Sequence, residues 1–207
     1  MNYQNKMQEI INSLDYRPRL LLHSCCGPCS TTVLTLLVEF FDITVLYYNP
    51  NIEPMAEYEH RKKEQIRFIK EFNNEHINFM DCDYNNQDFR RKVQGLEQEK
   101  EGGARCAVCF KLRLNYTASL AKKENFDYFG TTLTVSPHKN SDVINKIGSL
   151  LEKEYGVNYL YSDFKKKDGY KKSVEISKKY NLYRQDYCGC LLGRNNICLL
   201  YTSDAAD

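Results

Sequence analysis

Arg19-Leu20-Leu21-Leu22-His23-Ser24-Cys25-Cys26-Gly27-Pro28-Cys29 decides how the rest of the chain is read. The first part is a short apolar run, which predicts a buried strand. It stops abruptly at Ser24, and Gly27-Pro28 marks a tight turn. Ser30 to Phe41 then follows helical spacing, with Ser30 or Thr31 expected as the N-cap. Strand, tight turn and helix in that order open an α/β unit.

The same alternation continues outward. Upstream, Asn5 to Leu14 reads as a short amphipathic helix closed before Pro18. Downstream, Asp42 to Tyr48 is rich in β-branched and aromatic residues and predicts a second strand. Asn49 to Pro54 breaks it. A long polar helix follows from Met55 to Asn73, turning Ile66, Phe68 and Ile69 toward the core. Ile77 to Asp83 predicts a third strand with Cys82 inside it, and a helix starts near Asn86. A charged stretch, Glu97 to Ala104, delivers Cys106 and Cys109 to the start of a helix reaching Lys123. Tyr128 to Leu133 is a fourth strand, Thr134 to Asn140 a loop, Ser141 to Tyr155 a helix and Asn158 to Ser162 a short strand. A basic run, Lys165 to Lys172, precedes a last helix from Ser173 to Tyr180. The expectation is an α/β fold, a mostly parallel sheet with helices on both faces. One domain spans 1–200, and the unpatterned tail 201–207 is expected to fray. In such sheets ligands gather at the carboxyl ends of the strands, where Cys25 and the loop Ser136 to Asn140 both fall.

With 42% apolar and 27% charged residues, the 207-residue chain has the composition of a soluble globular protein. A net charge of +2 gives no global basic signal, so any nucleic-acid contact must come from a local patch. The sequence shows neither the apolar run of a secretory signal nor a stretch long enough to span a membrane. A cytoplasmic location with no membrane partner is therefore expected.

Cysteine placement carries the chemistry. Seven of the nine cysteines fall in three tight groups: Cys25, Cys26 and Cys29; Cys106 and Cys109; Cys188 and Cys190. In a reducing compartment, structural disulfides are disfavoured. Cys25-Cys26 and Cys106-x-x-Cys109 offer four thiols in two pairs, a soft donor set for zinc, copper(I) or an iron–sulfur cluster. Adjacent cysteines fit a zinc knuckle poorly. A purely structural metal site remains the competing reading. Arg105 and the helix N-terminus are expected to stabilise thiolates. Cys188-Gly189-Cys190 has two readings of equal weight: a strained, easily reduced disulfide or two further metal ligands. Gly189 supplies the backbone freedom that the disulfide needs. Cys29 reads as a second-metal ligand or a small helix-start residue. Cys82 and Cys198 read as core or surface residues. The basic run from Lys165 to Lys172 reads first as a solvated face and second as a phosphate grip. His138 and Lys139 read as helix-capping residues or as groups that protonate or orient a substrate.

Five segments together match one pattern: His23-Ser24-Cys25-Cys26-Gly27-Pro28-Cys29; Tyr48-Asn49-Pro50-Asn51-Ile52-x-Pro54-x-x-Glu57-Tyr58-x-x-Arg61; Gly103-x-Arg105-Cys106-x-x-Cys109-x-x-Leu112-Arg113-Leu114; Thr132-Leu133-Thr134-x-Ser136-Pro137-His138-Lys139-Asn140; and Tyr187-Cys188-Gly189-Cys190. In this order the chain resembles the epoxyqueuosine reductase QueH family from about Leu20 to Cys190. The resemblance implies a nucleotide-α-hydrolase-like fold and reduction of epoxyqueuosine to queuosine at the wobble position of tRNA, the last step of queuosine synthesis. It further implies that Cys25, Cys26, Cys106 and Cys109 ligate a 4Fe–4S cluster. Cys188 and Cys190 would then be a redox-active pair or hold a second iron, and Cys29 falls where the family can supply a further ligand. No cobalamin is implied. The implied partners are tRNA carrying epoxyqueuosine and an electron donor that the sequence does not identify. His138, Tyr187 and Asp83 are the candidate proton donors. Two rivals are an ATP-dependent tRNA thiolation-type enzyme and a noncatalytic zinc-binding RNA module. The first would need a Gly-rich phosphate loop where this chain has Cys-Cys-Gly-Pro-Cys.

Overall fold

A computed structural model describes residues 2–193. Cys198 and the tail 201–207 lie outside the described residues. The helices are α1 (Tyr3–Asn12), α2 (Gly27–Leu37), α3 (Met55–Phe72), α4 (Asn86–Lys92), α5 (Ala104–Lys123), α6 (Ser141–Tyr155) and α7 (Gly169–Lys179). The strands are β1 (Arg19–His23), β2 (Asp42–Leu46), β3 (Ile77–Met80), β4 (Tyr128–Thr131) and β5 (Asn158–Tyr159). They form one parallel sheet in the order β3-β2-β1-β4-β5. This is the doubly wound arrangement of a nucleotide-α-hydrolase-like fold, and the strand order reverses between β1 and β4.

The pleat of β1 explains why its sequence is a run of leucines. Leu20 and Leu22 face one layer, with Val33, Leu34 and Leu37 of α2 and Phe68 of α3. Leu21 faces the other, with Phe110, Leu114 and Ala118 of α5 and Ile144 and Leu151 of α6. A central parallel strand buries both faces, so it reads as continuous apolar sequence, not alternating. Each of these leucines is fully buried and contributes about 2 kcal/mol of transfer free energy. α1 sits across the sheet edge, with Tyr3 in the second layer and Met7 and Ile11 in the first.

Several boundaries differ from the sequence expectation. α2 begins at Gly27, not Ser30, and Cys26 stands at its N-cap without a side-chain cap bond. Pro28 fits the first turn, where no N–H is needed. Ser30 and Thr31 instead donate back to the carbonyls of Gly27 and Pro28, at 2.7 and 2.8 Å. α3 buries Tyr58, Arg61, Gln65 and Phe68, while Ile66 is only half-buried. Its inner face is thus partly polar, because it lines the functional site. β3 stops at Met80, and Cys82 lies in the following loop with its thiol 3.3 Å from Tyr47 O. β4 passes into a 3-10 turn over Thr132–Val135. α7 starts at Gly169, so the last residues of the basic run are helical. Asp168 there is left-handed at φ 61°. Gly169 has no alternative, because a Cβ at that point would collide with the carbonyl of Phe164.

Candidate functional site: a thiol centre at the carboxyl edge of the sheet

β1 ends at the strand-order reversal, and the chain turns there into Cys25 and Cys26. The turn is held on every side. Ser24 N–H donates to Leu46 O of β2 at 2.9 Å, and Asn49 Nδ2 donates to Ser24 O at 2.8 Å. The Ser24 hydroxyl donates to Gln65 Oε1 at 2.6 Å, and Gln65 Nε2 donates to Ser30 Oγ at 3.0 Å. From the β4 side, Thr132 Oγ1 accepts from Cys25 N–H at 3.1 Å, and its hydroxyl lies 3.4 Å from Cys25 Sγ. Beneath, His23 Nε2 is 3.1 Å from Tyr48 O, which can only accept, so this nitrogen carries the proton. Nδ1 then accepts from the Thr131 hydroxyl at 2.9 Å. Burial, reinforced by the charge of Arg113, drops the His23 pKa to about 3. The ring is a neutral strut.

The ligand atoms of Cys25, Cys26 and Cys29 lie within 4.8 Å of one another, with 3.9 Å between the Sγ atoms of Cys25 and Cys26. Among the described residues, no other three Cys, His, Asp or Glu ligand atoms gather so closely. Cys29 is therefore part of the centre, not merely a small helix-start residue. Thiol hydrogen bonds from Cys26 and Cys29 hold Cys25 well below the usual thiol range, and Lys139 and Thr132 act in the same direction against burial. Cys26 is pushed up to about 12 and Cys29 well above the usual range, chiefly because each donates to Cys25. Gln185 Nε2 adds a donor to Cys26 Sγ at 3.2 Å. An all-sulfur, largely buried set without a carboxylate suits a soft metal or an iron–sulfur cluster, which would displace the shared protons.

A second group lies on α5. Cys106 Sγ accepts from Gly102 N–H at 3.2 Å, and Cys109 is buried with Phe89 and Val93 beside the half-buried Cys190. Burial raises the Cys106 thiol and pushes Cys109 up to about 12, and Cys188 adds to both. Arg105 was expected to favour thiolates here. It does lower Cys106, but burial outweighs it. Its guanidinium is directed at the carbonyls of Glu97 and Glu99. Arg113 is the link between the groups, since the charges of Cys109, Cys188, Cys25 and Cys106 all act on it.

Cys188 and Cys190 are free thiols, and Gly189 takes φ +122°. Their segment is strapped to α3 and to the loop before it. Arg61 donates to Cys188 O and Tyr187 O, both at 3.3 Å, while its Nε pairs with Glu57 at 2.6 Å. Glu53 N–H donates to Gly189 O at 2.9 Å. Glu64 accepts from Tyr183 N–H at 2.8 Å, and Arg67 donates to the carbonyls of Tyr180 and Asn181.

On the other flank, the loop after Thr132–Val135 opens a cavity of about 480 Å³, lined by His138, Lys139, Ser141, Asp163, Lys165 and Lys166. Lys139 is common to this cavity and to the field at Cys25. α7 lies against α2, with the Thr31 hydroxyl 3.5 Å from Ser173 O, so the exposed lysines 166, 167, 171 and 172 lie near the same edge. Of the candidate proton donors, His138 lines the cavity. Asp83 is exposed beyond β3, and the Tyr187 hydroxyl already donates to Glu53 O.

Sequence reasoning assigned no role to Arg61, Arg113 or Gln185. The spacing Glu57-x-x-x-Arg61 and Cys109-x-x-x-Arg113 carried a signal, because residues four apart share a helix face. Gln185 carried none.

Fold and site define a doubly wound α/β protein with a thiol centre suited to a soft metal at its strand-order reversal. The family model for the epoxyqueuosine reductase QueH matches residues 20–196. The chain belongs to that family. It is similar to the epoxyqueuosine reductase QueH of Streptococcus pyogenes serotype M1, 46% identical over 92% of this chain and 77% of that one. The Staphylococcus epidermidis protein of the same name is 42% identical over 92% and 84%. That of Thermotoga maritima is 35% identical over 83% and 88%.

Proposed function

We propose that the chain is an oxidoreductase that reduces epoxyqueuosine to queuosine at the wobble position of tRNA. The observation that carries this is the convergence of Cys25, Cys26 and Cys29 at the strand-order reversal of a chain in the QueH family. The reaction consumes two electrons and two protons; the epoxide oxygen leaves as water and an alkene remains. In this reading Cys25, Cys26, Cys106 and Cys109 hold a 4Fe–4S cluster, with Cys29 as a further ligand. When bound, such a cluster carries electrons one at a time. Cys188 acts on Cys106, and Cys188 and Cys190 both act on Cys109; the pair would supply the second electron through a second iron that it holds, or both electrons and both protons as a dithiol closing to a disulfide. His138, at the cavity that Lys139 joins to Cys25, donates a proton to the leaving oxygen. Lys139, Lys165 and the exposed lysines of the basic run hold tRNA phosphates in the cytoplasm. No helix among the described residues is long and apolar enough to cross a membrane.

The thiolation reading loses its support at Cys25 to Cys29, where three thiols occupy the turn that a phosphate loop would need. The test is iron, sulfide and visible-spectrum analysis of anaerobically purified protein, followed by an assay on epoxyqueuosine tRNA. The expected result is about four to five irons with four sulfides per chain, a broad absorbance that bleaches on reduction, and turnover. Zinc without sulfide would overturn the redox reading in favour of a zinc-binding RNA module.

A further inference from the structure

Among the described residues, three arginines are no more than 2% exposed: Arg61, Arg105 and Arg113. A guanidinium cannot shed its proton, so each must be matched by negative charge or by acceptors. Arg61 has Glu57 and two carbonyls. Arg105 has the carbonyls of Glu97 and Glu99. Arg113 has much less. Its Nε reaches Cys109 O at 3.3 Å and its Nη1 reaches Asn49 Oδ1 at 3.4 Å, both long. Its Nη2 is buried and meets no acceptor among the described residues. The Phe110 ring, 5.7 Å from Cζ, offers only a weak cation–π contact. The groups whose charges act on Arg113 are thiols of both cysteine sets, Cys109, Cys188, Cys25 and Cys106. The protein therefore keeps a permanent positive charge beside the favoured Cys25 thiolate and among thiols of both sets, with its Nη2 group left to donate.

We propose that Arg113 is the fixed counter-charge of the metal–thiolate centre, its Nη2 donating to sulfur of that centre and its charge favouring the more negative, reduced form. This rests on the iron–sulfur reading above. Thiolates and cluster sulfides accept hydrogen bonds, and both hydrogen bonds to sulfur and nearby positive charge raise a cluster's reduction potential.

The experiment compares wild type, Arg113→Met and Arg113→Lys, each purified anaerobically and analysed for iron and sulfide. Spectroelectrochemical titration of the loaded proteins should show Arg113→Met at least tenfold harder to reduce, 59 mV for a one-electron couple. Arg113→Lys, which keeps the charge but not the planar fork, should fall between the two. Wild type should gain more melting temperature on loading than Arg113→Met. A loaded Arg113→Met or Arg113→Lys with the wild-type potential, or an Arg113→Met that gains as much melting temperature on loading as wild type, overturns the proposal while leaving the iron–sulfur reading in place. Wild-type protein without iron and sulfide overturns both.

Discussion

The turn at Cys25 and the strap at Cys188 both present cysteines to the same edge of the sheet, but they are placed by different means. The turn is an extension of the fold. β1 sets its entry, α2 sets its exit, and hydroxyls and amides from the 3-10 turn after β4, from α3 and from the loop after β2 fill the space between. The strap, residues 181–190, lies in no strand or helix, and a short 3-10 turn, Leu191–Gly193, follows it. Its position comes from α3 and the loop before it, through Arg61, Glu64, Arg67 and the Glu53 amide. A group that must hold a metal benefits from ligands that do not move when it binds. The strap is fastened instead by side chains of α3 and by one backbone bond from Glu53. The difference teaches that the site combines a half built into the sheet with a half fastened to α3.

The largest effect that separates the halves is expected from the cysteines. Cys25→Ser should lose bound iron and drop reduction to background. Cys188→Ser should keep most of the iron and sulfide yet lose multiple turnover. Iron analysis beside the tRNA assay checks this, and equal iron loss in both variants would erase the distinction. Next, Arg61→Ala removes a buried ion pair and both strap carbonyl bonds, and should cost about 3 kcal/mol in denaturant unfolding. Alkylation of Cys188 in the metal-free protein should accelerate in that variant, while Cys26 stays slow. A smaller effect, about 1–3 kcal/mol, is expected from Gly189→Ala, since φ +122° is strained for any side chain and a Cβ would come within 2.8 Å of Ile52 Cγ1. It should lower turnover without changing iron content. Smallest in stability, within about 0.5 kcal/mol, is the triple change of Lys166, Lys167 and Lys171 to Glu. Its effect should appear in tRNA binding, as weaker affinity and a flatter salt dependence, by up to about 0.9 in the log–log slope per lost phosphate contact. Unchanged tRNA binding would remove the basic run from the interface.

Much of this was legible along the chain. The leucines of β1, the β-branched residues of β2 and the helical stretch Ser141 to Tyr155 are local signals, and the elements they mark appear where expected, though Asn140 caps α6, not His138 or Lys139. The ends of elements were less legible. Ser30 and Thr31 look like caps, yet Pro28 is accepted inside the first turn of α2, and that shift of one turn brings Cys29 to the other thiols. Ile66 looks like core on periodicity alone, but α3 turns Arg61 and Gln65 inward, because the edge of the site supplies partners for them.

The sequence by itself determined the α/β alternation, the three cysteine groups and their order, since these depend on neighbours a few residues apart. Only the tertiary structure decided that Cys29 joins Cys25 and Cys26, that α3 carries the strap, and that Arg113 is buried among thiols of both groups with its Nη2 unbonded among the described residues. The physical reason is range. Helix and strand periodicity is written in local spacing. The charge balance of a buried group depends on residues brought together from β1, α5 and the end of the chain, and no local pattern records which of them will meet.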